Sequence, residues 1–116
     1  MERPKIRKKD NPEAKIQKKI VDFLRIRGWW VKRTHGNAYT EGWPDLFTCH
    51  YTYGQRWVEV KLPDMKGSKF TPAQMRDFPQ FVANGSGVWV LTGATDAEYE
   101  KLFKPPNWWQ YLSLMK

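Results

Sequence analysis

A single cysteine, Cys49, stands in a chain of 116 residues, and that scarcity removes two kinds of structure at once. No intramolecular disulfide can form, and no thiolate metal centre can be built. A lone cysteine fits a small buried hydrophobe in a reducing compartment. Long hydrophobic runs are missing too. No stretch approaches the roughly 20 apolar residues that cross a bilayer, and the first residues are too basic and polar for a secretion signal. A cytoplasmic location without a membrane partner is therefore expected. A glycine-rich phosphate loop is also lacking, which argues against nucleotide hydrolysis and a small-molecule cofactor.

What is present is positive charge, unevenly placed. The formal net charge is +8; residues 1–33 hold 12 Lys and Arg against 4 Asp and Glu, while residues 34–116 hold 8 of each. Such a block suits a polyanion, because lysine and arginine displace counterions from phosphate backbones. Charge alone does not separate nucleic acid from acidic lipid, and the bland alternative is a solvated tail that only aids solubility; residues 1–10 read as a flexible basic arm.

Asn11, Pro12 and Glu13 predict a helix start, with Asn11 as cap and Pro12 in the first turn. Ile16, Ile20, Phe23 and Leu24 give it a buried stripe, and Gly28 suits a left-handed end. Trp29 to Thr34 predicts a strand and His35 to Pro44 a loop. A second strand is expected from Asp45 to Tyr53 and a third from Arg56 to Leu62. In the third, Val58, Val60 and Leu62 face one side while Trp57, Glu59 and Lys61 face the other. Thr71 and Gln74 form a capping box opening a second helix, which Pro79 should kink or end early. Gly87 to Thr92 predicts a strand buried on both faces. Thr95 and Glu98 give another capping box before a short helix. The aromatic tail at 105–116 should pack on the core or on a partner chain. The order is α-β-β-β-α-β, an α/β fold with a four-stranded mixed sheet flanked by helices. Its second helix serves as the crossover to the fourth strand.

Phosphodiester hydrolysis needs a hard cation, oxygen ligands and a cationic or basic group near the attacking water. Asp45 opens the second strand, and Glu59 and Lys61 leave the same face of the third. If these strands pair, two carboxylates and the Val60 carbonyl can hold a magnesium ion with Lys61 beside them. Each residue also has a plain explanation: Glu59 and Lys61 as a same-face pair, Asp45 as a turn residue. Two histidines, His35 and His50, do not make a histidine–metal site, although His35 could contact phosphate. Trp29, Trp30, Trp108 and Trp109 fit core or interface better than base stacking.

Gly42-Trp43-Pro44-Asp45-Leu46-Phe47, then Val58-Glu59-Val60-Lys61, then Phe70-Thr71-Pro72-Ala73-Gln74 resemble the PD-(D/E)XK nuclease superfamily. More narrowly they are similar to the VRR-NUC family of virus-type replication–repair nucleases. The resemblance spans roughly residues 13 to 92 and implies a restriction-endonuclease-like core over 11–104. It implies Asp45, Glu59 and Lys61 as catalytic residues, Gln74 near them, and Mg2+ or Mn2+ held by Asp45, Glu59, Val60 and Glu13. Glu13 also has an ordinary role as a first-turn charge, and Gln74 as a cap. Lys15, Lys18, Lys19, Arg33, His35 and Lys69 are the expected DNA contacts. The family implies a homodimeric, structure-specific endonuclease acting on branched or four-way junction DNA, often virus-encoded. Two alternatives remain: a non-catalytic nucleic-acid-binding module, which leaves the acidic residues without a role, and a subunit active only within a replication or restriction complex.

Overall fold

A computed structural model describes residues 11–34, 41–65 and 69–115; the basic arm at 1–10 and His35 lie outside these. Helix α1 spans Pro12–Ile26, and the Asn11 side chain accepts hydrogen bonds from the Glu13 and Ala14 amides at its start. Gly28 follows its end with a φ of 89°, the left-handed conformation that glycine adopts without Cβ strain. Strands β1 (Trp30–Arg33), β2 (Leu46–His50) and β3 (Gly54–Val60) form an antiparallel meander, shorter at some ends than the sequence suggests. Helix α2 (Pro72–Ala83) then leads to β4 (Val88–Leu91), which pairs parallel to β3 and completes a sheet of order β1-β2-β3-β4. Helix α3 (Asp96–Glu100) and two 3-10 segments, Lys101–Phe103 and Trp108–Met115, follow. Among the described residues no helix is long and apolar enough to cross a membrane.

Two cores sandwich the sheet. On one face Ile20, Val21 and Leu24 of α1 meet Val31, Leu46, Val58 and Val60, joined by Tyr99 and Leu102. On the other, Phe78 packs on Val88 and Val90 with Phe70 and Trp108. Each fully buried Leu, Ile or Phe contributes about 1.5–3 kcal/mol; every residue of β4 is buried because Trp89 and Leu91 enter one core and Val88 and Val90 the other.

Three local expectations are corrected. Pro79 does not end helix α2 early, since the helix runs through it to Ala83; Phe78 is fully buried and Phe81 partly so, and this packing offsets the hydrogen bond that proline removes. Thr95 does cap α3, but the Glu98 carboxylate accepts from the Thr92 amide and from Lys101 rather than completing a box. Cys49 is only half-buried, because α2 covers β3 and β4 and, among the described residues, no helix covers the same face of β1 and β2.

Side chains occupy both outer edges of the sheet. On β1 the Arg25 guanidinium donates to the Val31 carbonyl (3.1 Å). On β4 the buried Asn107 side chain accepts from the Val90 amide (2.6 Å) and donates to its carbonyl (3.0 Å), as a neighbouring strand would. Asn107→Leu keeps the volume but orphans two backbone groups; with about 1–3 kcal/mol per unpaired buried group, urea unfolding should show a loss of about 2–4 kcal/mol.

Candidate active site

The segment before β2 is placed by two contacts. Gly42 has a φ of 88° and sits so close to α2 that a Cβ would lie 2.3 Å from Asp77 Oδ2 and 2.9 Å from the Ala73 carbonyl oxygen. Thr34, just past β1, uses its hydroxyl to donate to the Pro44 and Asp45 carbonyls, while its amide donates to Asp45 O (3.0 Å). Asp45 is thereby fixed at the mouth of the β2–β3 pair. Gly42→Ala combines left-handed strain of about 1–3 kcal/mol with a backbone collision. Thermal melts should show destabilisation, and removing the Asp77 side chain as well should not restore stability, because the Ala73 carbonyl still blocks the methyl.

Asp45 and Glu59 are cross-strand neighbours. The Asp45 amide donates to Glu59 Oε1 (3.1 Å), and Asp45 Oδ2 accepts from the Val60 amide (2.7 Å). A strand residue directs its N–H and C=O to the same neighbour, so the Val60 carbonyl lies on Asp45's side of β3. Glu59 Oε2 meets Lys61 Nζ at 3.1 Å and accepts from Gln74 Nε2 at 2.8 Å. The Gln74 side chain makes two contacts at once: its Oε1 accepts from the Thr71 amide while its Nε2 donates to Glu59. Lys61 also donates to the Lys69 carbonyl and lies over the Phe70 ring, 4.8 Å from its centroid.

This cluster is dry: Glu59 is 1% exposed and Lys61 3%. Burial first, and then the charge of Asp45, push the Glu59 carboxyl up to about 8, against the pull of Lys61 and Gln74. The short Lys61 contact favours an ionised Glu59, but burial and the neighbouring Asp45 charge outweigh it. A site with this imbalance suits a divalent cation. Magnesium takes one or two carboxylates and completes its shell with water, so Asp45, Glu59 and the Val60 carbonyl are a fitting donor set.

The other expected residues are not all gathered here. Among the described residues no third His, Cys, Asp or Glu joins Asp45 and Glu59; Glu13 stands in the first turn of α1, partly exposed. Lys15, Lys19, Arg33 and Lys69 are exposed. Lys18 is exposed too, paired with Asp22 at 2.7 Å. His50 ends β2 away from the cluster and accepts from the Thr52 amide. Thr34 was not anticipated as a positioning residue, and only its place at a strand end hinted at it.

No family model matches the sequence, and no curated protein matches it. A solved structure described as a VRR_NUC domain is similar, with 26% identity, a TM-score of 0.61, and coverage of 79% of this chain and 94% of that one. Helix α1, the three-stranded meander, the α2 crossover and the parallel β4 thus give this chain a VRR_NUC-like fold, which is a nuclease-like one.

Proposed function

We propose that this chain is a metal-dependent, structure-specific DNA endonuclease that hydrolyses phosphodiester bonds at Asp45, Glu59 and Lys61. The observation that carries the reading is the buried group in which Glu59 touches Lys61 and Gln74 while Asp45 is held across the strand pair. Such a group is costly as a mere structural feature and is the arrangement that cation-assisted hydrolysis requires.

Asp45, Glu59 and the Val60 carbonyl would hold Mg2+ or Mn2+, whose chemistry is to acidify a water and shield phosphate oxygens. Gln74 orients the Glu59 carboxylate through its 2.8 Å bond. Lys61, fixed by Glu59 and the Lys69 carbonyl, presents positive charge where negative charge grows on the phosphate. The exposed Lys15, Lys18, Lys19, Arg33 and Lys69 hold backbone phosphates without reading sequence. One site cuts one strand, so paired cuts across a junction call for two copies of the chain.

The test is cleavage of labelled four-way junction, flap, single-stranded and duplex DNA with Mg2+, Mn2+ or EDTA, with Asp45→Asn alongside. Metal-dependent cutting that the variant abolishes supports the nuclease, and paired nicks across the junction support a dimeric resolvase. DNA binding without cutting in any metal overturns the enzyme and leaves a binding module.

A further inference from the structure

The face of the sheet that carries Glu59 is covered by α2 only over β3 and β4. Over β1 and β2 no described element covers it, and aromatic rings run across it. Trp30 meets Phe47 edge-on at 6.1 Å, Phe47 meets Trp57 at 4.8 Å, and Trp57 meets Trp43 at 5.6 Å. Phe47 and Trp57 are half-buried and hold the outer two in place; Trp30 remains 58% exposed and Trp43 39%. The row ends at a cleft lined by Trp43, Asp77, Gln80, Phe81, Asn84 and Ser86, where the Asp77 carboxylate is paired with Arg76.

Register ties this row to the cluster described above. Lys32, Phe47 and Trp57 are direct cross-strand partners. Asp45 and Glu59 stand two residues further along the same strands and on the same face, a step of about 7 Å. Charge decides between occupants. On this face strands β1 to β3 carry one acidic residue, Glu59, which is buried, and one exposed cation, Lys32, while Arg33 points to the α1 side. A second copy laid on this face would meet like charge, while a nucleic-acid strand meets opposite charge. Exposed rings also gain little from a duplex, whose bases are already stacked on one another; they suit bases freed from pairing.

We propose that an unpaired stretch of the substrate strand lies across this face, with bases stacked on Trp30 and Trp43 and phosphates near Lys32. The next phosphate along the strand is thereby delivered to Asp45 and Glu59. The proposal rests on the nuclease reading and narrows its substrate class to DNA with unpaired bases beside the cut.

Binding is measured by fluorescence anisotropy in EDTA, with the full chain, using labelled oligothymidylate about 20 nucleotides long and an abasic oligomer of equal length. The wild type should favour thymidylate by about tenfold, in line with stacking on one or two rings. Trp30→Ala should remove most of that preference and leave abasic affinity unchanged; Trp30→Phe, which keeps a ring, should retain most of it. Equal binding of both oligomers by the wild type overturns the proposal without depending on any variant. So does a Trp30→Ala variant that loses affinity for both alike, or one that turns a dimer into a monomer in sedimentation, which would assign the face to a second copy. Failure of the nuclease reading shows separately, as absent metal-dependent cleavage, and does not alter this comparison.

Discussion

Lys61→Ala should reduce metal-dependent DNA cleavage by about a hundred- to a thousandfold, the loss typical of removing one preorganised group that stabilises transition-state charge. The effect should fall on the rate of the chemical step. Lys61 is buried and already engaged by Glu59, the Lys69 carbonyl and the Phe70 ring, so it contributes little to holding DNA from a distance. Affinity for uncut DNA in EDTA should change by no more than about threefold, as expected when backbone contacts elsewhere supply the binding. Lys61→Arg should not rescue the rate. The guanidinium is wider and planar, and a pocket shaped around one ammonium cannot keep both the Glu59 and Lys69 contacts. Single-turnover cleavage beside an anisotropy titration separates the two quantities. Equal losses in binding and cleavage would reduce Lys61 to a phosphate contact.

The second large effect concerns stability and pH. Glu59 titrates at about 8 in the folded protein against an ordinary 4.5, through burial and then the neighbouring Asp45 charge. Its folded-state pKa is raised, so the folded protein keeps a proton that the unfolded chain releases across that interval. The associated stability is fully present below about 4.5 and is lost as pH rises toward about 8. Glu59→Gln cannot lose this proton. Thermal melts in EDTA should therefore show wild type falling behind the variant as pH rises from acid to mildly alkaline, with the gap opening by on the order of 10 °C. Magnesium at alkaline pH should raise the wild-type melting point more than that of the variant, because ligand binding stabilises the state that binds it. Parallel pH profiles for the two proteins would mean that Glu59 stays ionised throughout.

Much of this site is written locally. Glu59 and Lys61 share a face because strand side chains alternate, and Pro44-Asp45 and Thr71–Gln74 carry turn and cap chemistry that short segments reveal. The family resemblance rested on those three stretches, and the structure draws Asp45, Glu59, Lys61 and Gln74 together. Other contacts depend on partners distant in the chain. Asn107 matters because Val90 is an edge residue, Thr34 because Pro44 returns beside it, and Gly42 because α2 passes within reach of a methyl group. Pro79 looked disruptive because helix propensity was the only guide; packing of Phe78 and Phe81 is invisible to propensity. The tryptophans divided in a way composition does not reveal, since Trp29 and Trp108 are buried while Trp30 and Trp109 are exposed.

The two occupied edges also bear on how the sheet behaves in a crowded solution. A bare strand edge is a template for aggregation. Here Asn107 supplies both halves of a missing peptide unit at Val90, and Arg25 claims the Val31 carbonyl beside the exposed Lys32 and Arg33. One border is sealed by hydrogen bonding and the other is guarded by charge. The same cations that attract a phosphate backbone therefore repel another sheet, and in this small fold affinity for a polyanion and resistance to fibre-like stacking come from shared residues.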